Sequence, residues 1–171
     1  LGLDPATIKY AIVSHGHGDH SGGAKFLQDK FGTKVILSAA DWDLLDRSTG
    51  TKPKRDMVAT DGMKLTLGGK TVTFWLTPGH TPGTISFTTT VLDRGKPVHI
   101  VSSAGVATSF INDRPDPGIK NFQIYIDSQK KIAAKAAETK ATVLISNHSE
   151  FDDAVDKNRM LAGRGNGPHP Y

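Results

Sequence analysis

The stretch that decides how this chain folds and functions is His15-Gly16-His17-Gly18-Asp19-His20. It puts four side chains that can bind a metal into six positions, a density with no ordinary structural use. The alternative is that these are solvated loop histidines or a chance histidine-rich tract. That explanation would be enough for a lone His-x-His pair. Three of the seven histidines of the chain fall in this stretch, and such clustering favours a functional site.

The residues before this stretch predict how the histidines are delivered. Tyr10-Ala11-Ile12-Val13-Ser14 is short, apolar and β-branched, which is typical of a buried strand that ends at the loop. The glycines between the candidate ligands allow backbone conformations closed to other residues. We therefore expect His15 and His17 to face one point, and Asp19 and His20 to face a neighbouring one.

Composition narrows the class of protein. The 171 residues are 37% hydrophobic and 22% charged, which predicts one domain over 1–171 with a hydrophobic core and no membrane span. The net charge is +4, but lysines and arginines are scattered among acids, so we expect a small-molecule substrate and no nucleic acid. Because cysteine is absent, any metal must be held by nitrogen and oxygen.

The pattern along the chain predicts alternating strands and helices, followed by two hairpins about 68–70 and 93–95. A helical turn is expected at 4–7 and a polar loop at 47–55. Strands are predicted over 8–13, 34–37, 63–67, 71–76, 84–92, 97–102 and 141–145, and helices over 24–30, 40–45, 116–139 and 151–162. The first part resembles βαβ units.

Two further histidines stand at punctuated positions. His80 lies between two Pro-Gly pairs in Thr77-Pro78-Gly79-His80-Thr81-Pro82-Gly83, where turn chemistry holds its backbone. His148 follows the last predicted strand, and strand ends converge on one edge of a sheet. We expect His15, His17 and His80 to bind one ion, and Asp19, His20 and His148 to bind a second.

Imidazole and carboxylate ligands suit zinc, and also admit iron, cobalt or manganese. Three protein ligands per ion leave an open position, which is typical of a catalytic site. Two ions about 3.5–4 Å apart share a water and supply hydroxide at neutral pH, which favours hydrolysis. His99 is expected to be a strand histidine, and His169 in the tail is expected not to ligate.

Together, the His-x-His-x-Asp-His run, His80 in its Pro-Gly loop and His148 after a strand resemble the metallo-β-lactamase superfamily. The resemblance implies an α/β fold, an αβ/βα sandwich with two zinc ions per chain at one edge of two sheets.

One departure concerns an aspartate that bridges the metals in most hydrolases of the superfamily. The corresponding stretch here is Val101-Ser102-Ser103-Ala104-Gly105-Val106, without an acid. This resembles subclass B3 β-lactamases, and it implies that Ser102 or Ser103 can orient a metal-bound water; the alternative is that the serines only end the strand. The segments 146–152 and 168–171 resemble little-characterised hydrolases related to subclass B3.

A second departure is that only one strand is predicted before the histidine loop, whereas superfamily domains usually have several. The chain is therefore expected to be incomplete at its amino end. It should then expose apolar sheet surface and an open strand edge, which favours aggregation, a homo-oligomer or a swapped dimer.

The functional expectation is a zinc-dependent hydrolase in which a metal-held hydroxide opens a cyclic amide, with Asp19 both ligating and orienting the nucleophile. Alternatives are hydrolysis of lactones, thioesters or phosphodiesters, and a truncated metal-binding remnant without activity. The resemblance to B3 enzymes implies a periplasmic or secreted protein, and a cytoplasmic location stays open.

Overall fold

The first half of the chain forms a parallel three-stranded sheet in a computed structural model, which describes residues 2–106 and 118–171, the side chains of 118–120 excepted. A 3-10 turn at Pro5–Thr7 precedes the sheet. The strands are β1 (Tyr10–Ile12), β2 (Lys34–Ser38) and β3 (Met57–Ala59), in the order β1-β2-β3. The intervening helices are α1 (Gly18–Ser21), α2 (Ala24–Phe31) and α3 (Ala39–Arg47). The predicted βαβ alternation is confirmed.

The central strand β2 is buried on both faces, as the middle strand of a covered parallel sheet should be. Val35 and Leu37 pack toward the helices with Trp42, whereas Ile36 packs toward the second sheet with Phe74. All five side chains are fully buried. Two apolar layers thus lie on opposite sides of one strand.

The second sheet has five strands in sequence order. They are β4 (Lys64–Leu67), β5 (Lys70–Leu76), β6 (Ile85–Asp93), β7 (Lys96–Ser103) and β8 (Val143–Ser146). The first four are antiparallel neighbours, which confirms both predicted hairpins, and β8 joins β7 in parallel. Helix α4 (Gly118–Glu138) connects β7 to β8, and α5 (Ala154–Gly163) follows. The predicted helix start at Asp116 lies outside the described residues.

Helices cover the outer faces of the two sheets, and this layering confirms the predicted αβ/βα sandwich. Helix α4 packs on β6 and β7, with Ile132 buried. The hydroxyl of Ser128 donates to the carbonyl of Pro78 at 2.6 Å. The backbone N–H of Ile85 donates to the carbonyl of Ser14 at 2.8 Å, so the start of β6 is attached to the histidine loop.

Three local predictions were wrong. Strand β3 was not predicted from the sequence. Its three residues follow a polar loop and are too few to show an apolar alternation, and they are held by pairing with β2. Residues 18–21 form a helical turn rather than an open loop, with Ser21 N–H donating to the carbonyl of His17 at 2.9 Å. Helix α5 begins at Ala154 rather than 151, because Asp152 accepts from the backbone N–H of Ser146 and of Ala154 and holds 151–153 in a turn.

Strand β1 lies at one edge of the first sheet, with a single neighbour among the described strands. Ile8 and Ile12 near this edge are 38% and 37% exposed. The homo-oligomer expected from the sequence was based on such an open strand edge, and the oligomeric state stays a prediction. Within the described residues, no helix has both the length and the hydropathy to span a bilayer.

Candidate metal centre

The loop after β1 brings its histidines to the junction of the two sheets. The backbone N–H of Val13 still donates to the carbonyl of Ile36 at 2.9 Å, and the chain then leaves the sheet. His15 is fully buried, whereas His17 and His20 are half-buried and Asp19 is exposed. The turn α1 therefore places Asp19 and His20 on the solvent side of His15.

The glycines of this loop serve a different purpose from the one predicted. Neither Gly16 nor Gly18 has a positive φ, so unusual backbone conformation is not what they supply. A Cβ on Gly16 would lie 3.1 Å from Leu44 Cδ2 and 3.3 Å from the carbonyl oxygen of Asp41, while a Cβ on Gly18 would meet nothing within 4 Å. Gly16 thus lets the loop pack closely against α3.

The loop of His80 is packed tightly between two helices. A Cβ on Gly79 would lie 2.8 Å from Cα of Tyr125 in α4. A Cβ on Gly83 would lie 2.0 Å from Ser38 Oγ and 2.7 Å from the backbone nitrogen of Asp41 at the start of α3. The Pro-Gly pairs therefore let the backbone on both sides of His80 approach the helices closely.

The structure brings all six predicted ligands together in two groups of three. One group is His15, His17 and His80, and the other is Asp19, His20 and His148. Within each group the candidate ligand atoms lie within 4.8 Å of one another. Residues as far apart as 20 and 148 thus meet at one edge of the sandwich.

The shortest distances within the groups are close to those between the ligands of a bound metal. Nε2 of His80 lies 3.1 Å from Nε2 of His15, and Nε2 of His20 lies 3.0 Å from Nε2 of His148. Asp19 Oδ2 is 3.2 Å from His20 Nε2. A tetrahedral zinc with ligand bonds of about 2.0–2.1 Å requires ligand atoms about 3.3–3.4 Å apart. The donor set, nitrogen and oxygen without sulfur, fits zinc in both groups.

The two groups are neighbours. The ring of His15, in the first group, lies 4.1 Å from the ring of His20, in the second, between centroids. Ions held by the two groups would therefore be adjacent, as in a dinuclear site.

Burial favours the neutral imidazole that metal binding requires. It lowers the pKa of His15 to about 2, and repulsion from His20 and His80 adds to this effect. Burial also lowers the pKa of His20, where the Asp19 carboxylate opposes the effect and His148 reinforces it. Neutral rings with free lone pairs are the form in which these side chains coordinate a cation.

One carboxylate that the sequence analysis missed joins the two histidine loops. Asp41 is fully buried and accepts from the backbone N–H of Gly16 at 2.8 Å, the hydroxyl of Thr81 at 2.6 Å and the backbone N–H of Gly83 at 2.8 Å. Of these partners, Gly16 directly follows His15, and Thr81 and Gly83 lie just after His80. In the sequence Asp41 is an ordinary acid in the first turn of a helix, so no local signal marks it.

The structure does not connect the two predicted serines to the ligands. Ser102 is buried on β7, in register with Phe87 and Ile145. The hydroxyl of Ser103 donates to Gln129 of α4 at 3.3 Å. Within residues 2–106 and 118–171, neither hydroxyl bonds to any of the six candidate ligands. Orientation of a water by Ser102 or Ser103 stays a prediction.

The remaining histidines lie outside both groups. His99 is within β7, and its Nδ1 lies 2.9 Å from the hydroxyl of Thr90, its cross-strand neighbour. His169 contacts Tyr171 in the tail. Both positions agree with their predicted exclusion from the site.

A cleft of about 760 Å³ opens beside the first group. Its walls come from the two histidine loops and from α3 and α4: Gly16, His17, Gly18, Leu44, Arg47, Ser48, Pro78, Gly79, His80, Thr81, Pro82, Asn121 and Ile124. Its volume is in the range of small-molecule sites. Two candidate ligands, His17 and His80, thus face a space that a substrate could enter.

Some of the sequence relatives are named as hydrolases, and others are uncharacterized proteins. A hydroxyacylglutathione hydrolase of Acidiphilium cryptum is 32% identical over 80 residues, which are 47% of this chain and 30% of the relative. The probable metallo-hydrolase YybB of Bacillus subtilis is 23% identical over 170 residues, 91% of this chain and 72% of the relative. The chain thus spans less than a third of the first relative.

Solved structures with the same fold include the subclass B3 metallo-β-lactamase BJP-1 of Bradyrhizobium japonicum, with a TM-score of 0.77 and 25% identity. The match covers 99% of this chain and 67% of that one. For the Rm3 metallo-β-lactamase the TM-score is 0.74 and the identity 26%, over 96% of this chain and 66% of that one. The chain therefore spans about two thirds of both structures.

The family model of the Metallo-beta-lactamase superfamily matches residues 1–94, more than half of the chain and the part that contains five of the six candidate ligands. The predicted resemblance is confirmed. By its sequence and by its fold, this chain belongs to the metallo-β-lactamase superfamily.

Proposed function

We propose that the chain is a two-zinc hydrolase of the subclass B3 type that opens a cyclic amide. The observation that carries the proposal is the pair of adjacent ligand groups, each with three side chains. Three protein ligands leave a coordination position open, as in catalytic zinc sites. The likeness to B3 β-lactamase structures supports the choice of a cyclic amide.

His15, His17 and His80 would hold one zinc ion, and Asp19, His20 and His148 the other. When bound, two adjacent zinc ions polarise a carbonyl group and provide hydroxide from water at neutral pH. The residues of the chain supply the rest: they fix the ligands, shape the cleft and orient the reactants.

Asp19 is the residue we assign to orientation of the attacking water. Its carboxylate oxygen Oδ2 lies 3.2 Å from His20 Nε2 and 3.7 Å from His148 Nε2, while 61% of the side chain is exposed. A carboxylate in this position can ligate with one oxygen and accept a proton or a hydrogen bond with the other. The two buried histidines, His15 and His80, have no comparable access to solvent.

A thioesterase is the second candidate, because the sequence relatives include hydroxyacylglutathione hydrolases, whose name denotes a thioester substrate. The chemistry is shared, since both reactions are hydroxide attack on a carbonyl. Lactones and phosphodiesters remain further alternatives, although a phosphodiesterase would be expected to have a basic substrate surface.

The test combines elemental analysis with a substrate panel of nitrocefin, a hydroxyacyl glutathione, a lactone and a phosphodiester. We expect about two zinc ions per chain and turnover of nitrocefin. Turnover confined to the thioester would support the second candidate. Two zinc ions without turnover of any compound would indicate a metal-binding remnant, and His99→Ala serves as a histidine control that should change neither result.

A further inference from the structure

One cation in the cleft has no role in the metal groups. Arg47, in the last turn of α3, is the single lysine, arginine or acid among the cleft-lining residues of the described chain. The cleft wall combines apolar side chains, such as Leu44 on the same helix and Ile124 on α4, with polar ones. Arg47 is exposed, so its guanidinium is accessible to an anionic group that enters the cleft.

The acids next to Arg47 are engaged elsewhere. Asp43, four residues earlier, is the position from which a helical acid would pair with Arg47. Instead, Asp43 contacts Arg55 at 2.6 Å, and Asp46 lies 3.8 Å from the same guanidinium. Within residues 2–106 and 118–171, Arg47 has neither an ion pair nor a hydrogen bond.

The end of the helix does not account for Arg47 either. A basic residue in the last turn can stabilise a helix through its exposed carbonyls. Here Lys52 performs that task, because its Nζ donates to the carbonyls of Leu45, Asp46 and Ser48 at 2.8, 2.7 and 2.9 Å. Among the described residues, Arg47 is thus paired with neither a protein acid nor the end of the helix, and it lies on the wall of the cleft beside the first histidine group.

We infer that Arg47 binds an anionic group of the substrate, a carboxylate above all, and so selects acyl compounds that carry one. The inference rests on the proposed function, since it names the substrate class of the same site. The planar guanidinium can hold both oxygens of a carboxylate at once. The polar side chains of Ser48 and Asn121, also on the cleft wall, can complete the contacts.

The experiment compares acids with their neutral esters. The zinc-loaded protein is assayed with benzylpenicillin and its methyl ester, and with a hydroxyacyl glutathione and its dimethyl ester. We expect Arg47→Gln to raise KM for the acid of the hydrolysed pair about tenfold or more, with kcat and the ester unaffected. Arg47→Lys should recover part of the loss. Arg159→Gln, which changes an exposed arginine of α5 outside the cleft, is the control and should affect neither compound.

If Arg47→Gln impairs turnover of the acid and of the ester equally, Arg47 only shapes the cleft and the inference is overturned. The inference is also overturned if Arg47→Gln impairs turnover of neither compound. If no compound is hydrolysed, the proposed function fails, and binding of benzylpenicillin and its ester is measured by titration calorimetry. Tighter binding of the acid, abolished by Arg47→Gln, would still support the anion site. Equal or undetectable binding of the two would overturn it.

Discussion

The hydroxyl of Thr81 donates a 2.6 Å hydrogen bond to the buried carboxylate of Asp41. Thr81 follows His80 directly, and the same carboxylate oxygen accepts from Gly16, which follows His15. One acidic side chain thus sets the separation of the two loops that form the first metal group. Buried groups of this kind, which hold ligands without touching the metal, commonly tune metal affinity.

Replacing Asp41 should therefore affect both folding and metal binding. Asp41→Ala leaves the donors on Gly16, Thr81 and Gly83 without their acceptor, and we expect a loss of about 2–5 kcal/mol in the free energy of unfolding. Asp41→Asn should lose less, because it keeps the size and one acceptor oxygen. Urea unfolding measures the first effect, and zinc titration of the folded Asp41→Asn variant should show about 10- to 100-fold weaker binding.

Asp43→Asn is the control for this substitution, since Asp43 lies on the same helix in an exposed pair with Arg55. Surface pairs are worth about 0–1 kcal/mol, so little change is expected. Equal stability losses at 41 and 43 would contradict the role assigned to the buried carboxylate.

Two glycines of the site should differ in how well they tolerate replacement by alanine. Gly83→Ala places a methyl group against Ser38 and the backbone of Asp41, and should destabilise the fold by about 1–3 kcal/mol while displacing the His80 loop. Gly18→Ala meets open space and should be tolerated. Thermal unfolding and zinc stoichiometry of the two variants test this, and a stable, fully zinc-loaded Gly83→Ala would refute the packing argument.

Asp19→Ala should nearly abolish turnover while leaving the first zinc site partly loaded. The reason is that Asp19 belongs to the second group and is the side chain we assign to orientation of the water. Activity and elemental analysis on the same preparation provide the measurement. Asp29→Ala, which removes an exposed partner of Lys25 on α2, should leave both values unchanged. Full activity of Asp19→Ala would rule out this role.

Zinc should stabilise the protein in two separable steps. A ligand that binds only the folded state raises its stability by about 2.7 kcal/mol at a hundred times the dissociation constant. His80→Ala should remove the contribution of the first site, and His148→Ala that of the second, each leaving about one zinc per chain. Melting curves at graded zinc concentrations, compared with His99→Ala, measure this. An identical response of all three variants would contradict the assignment of two sites.

The helices and strands were largely predictable, because their signals are local. Apolar alternation marked the hairpin strands, and Gly32, with a φ of 67°, ends α2 as a left-handed cap. Strand β3 was missed because its three residues are held by pairing with β2 rather than by their own pattern. The purpose of Gly16 was misjudged for a related reason, since the close contact with Leu44 is invisible along the chain.

By itself the sequence determined which side chains can bind a metal. Ligand chemistry resides in residue types, and Pro-Gly turns and strand ends predict where those residues leave the sheets. The tertiary structure alone decided what surrounds them: the hydrogen bonds from both loops to Asp41, the tight fit of Gly83 and the position of Arg47 on the cleft wall. These features depend on contacts between segments distant in sequence, and such contacts exist only once the two sheets have packed together.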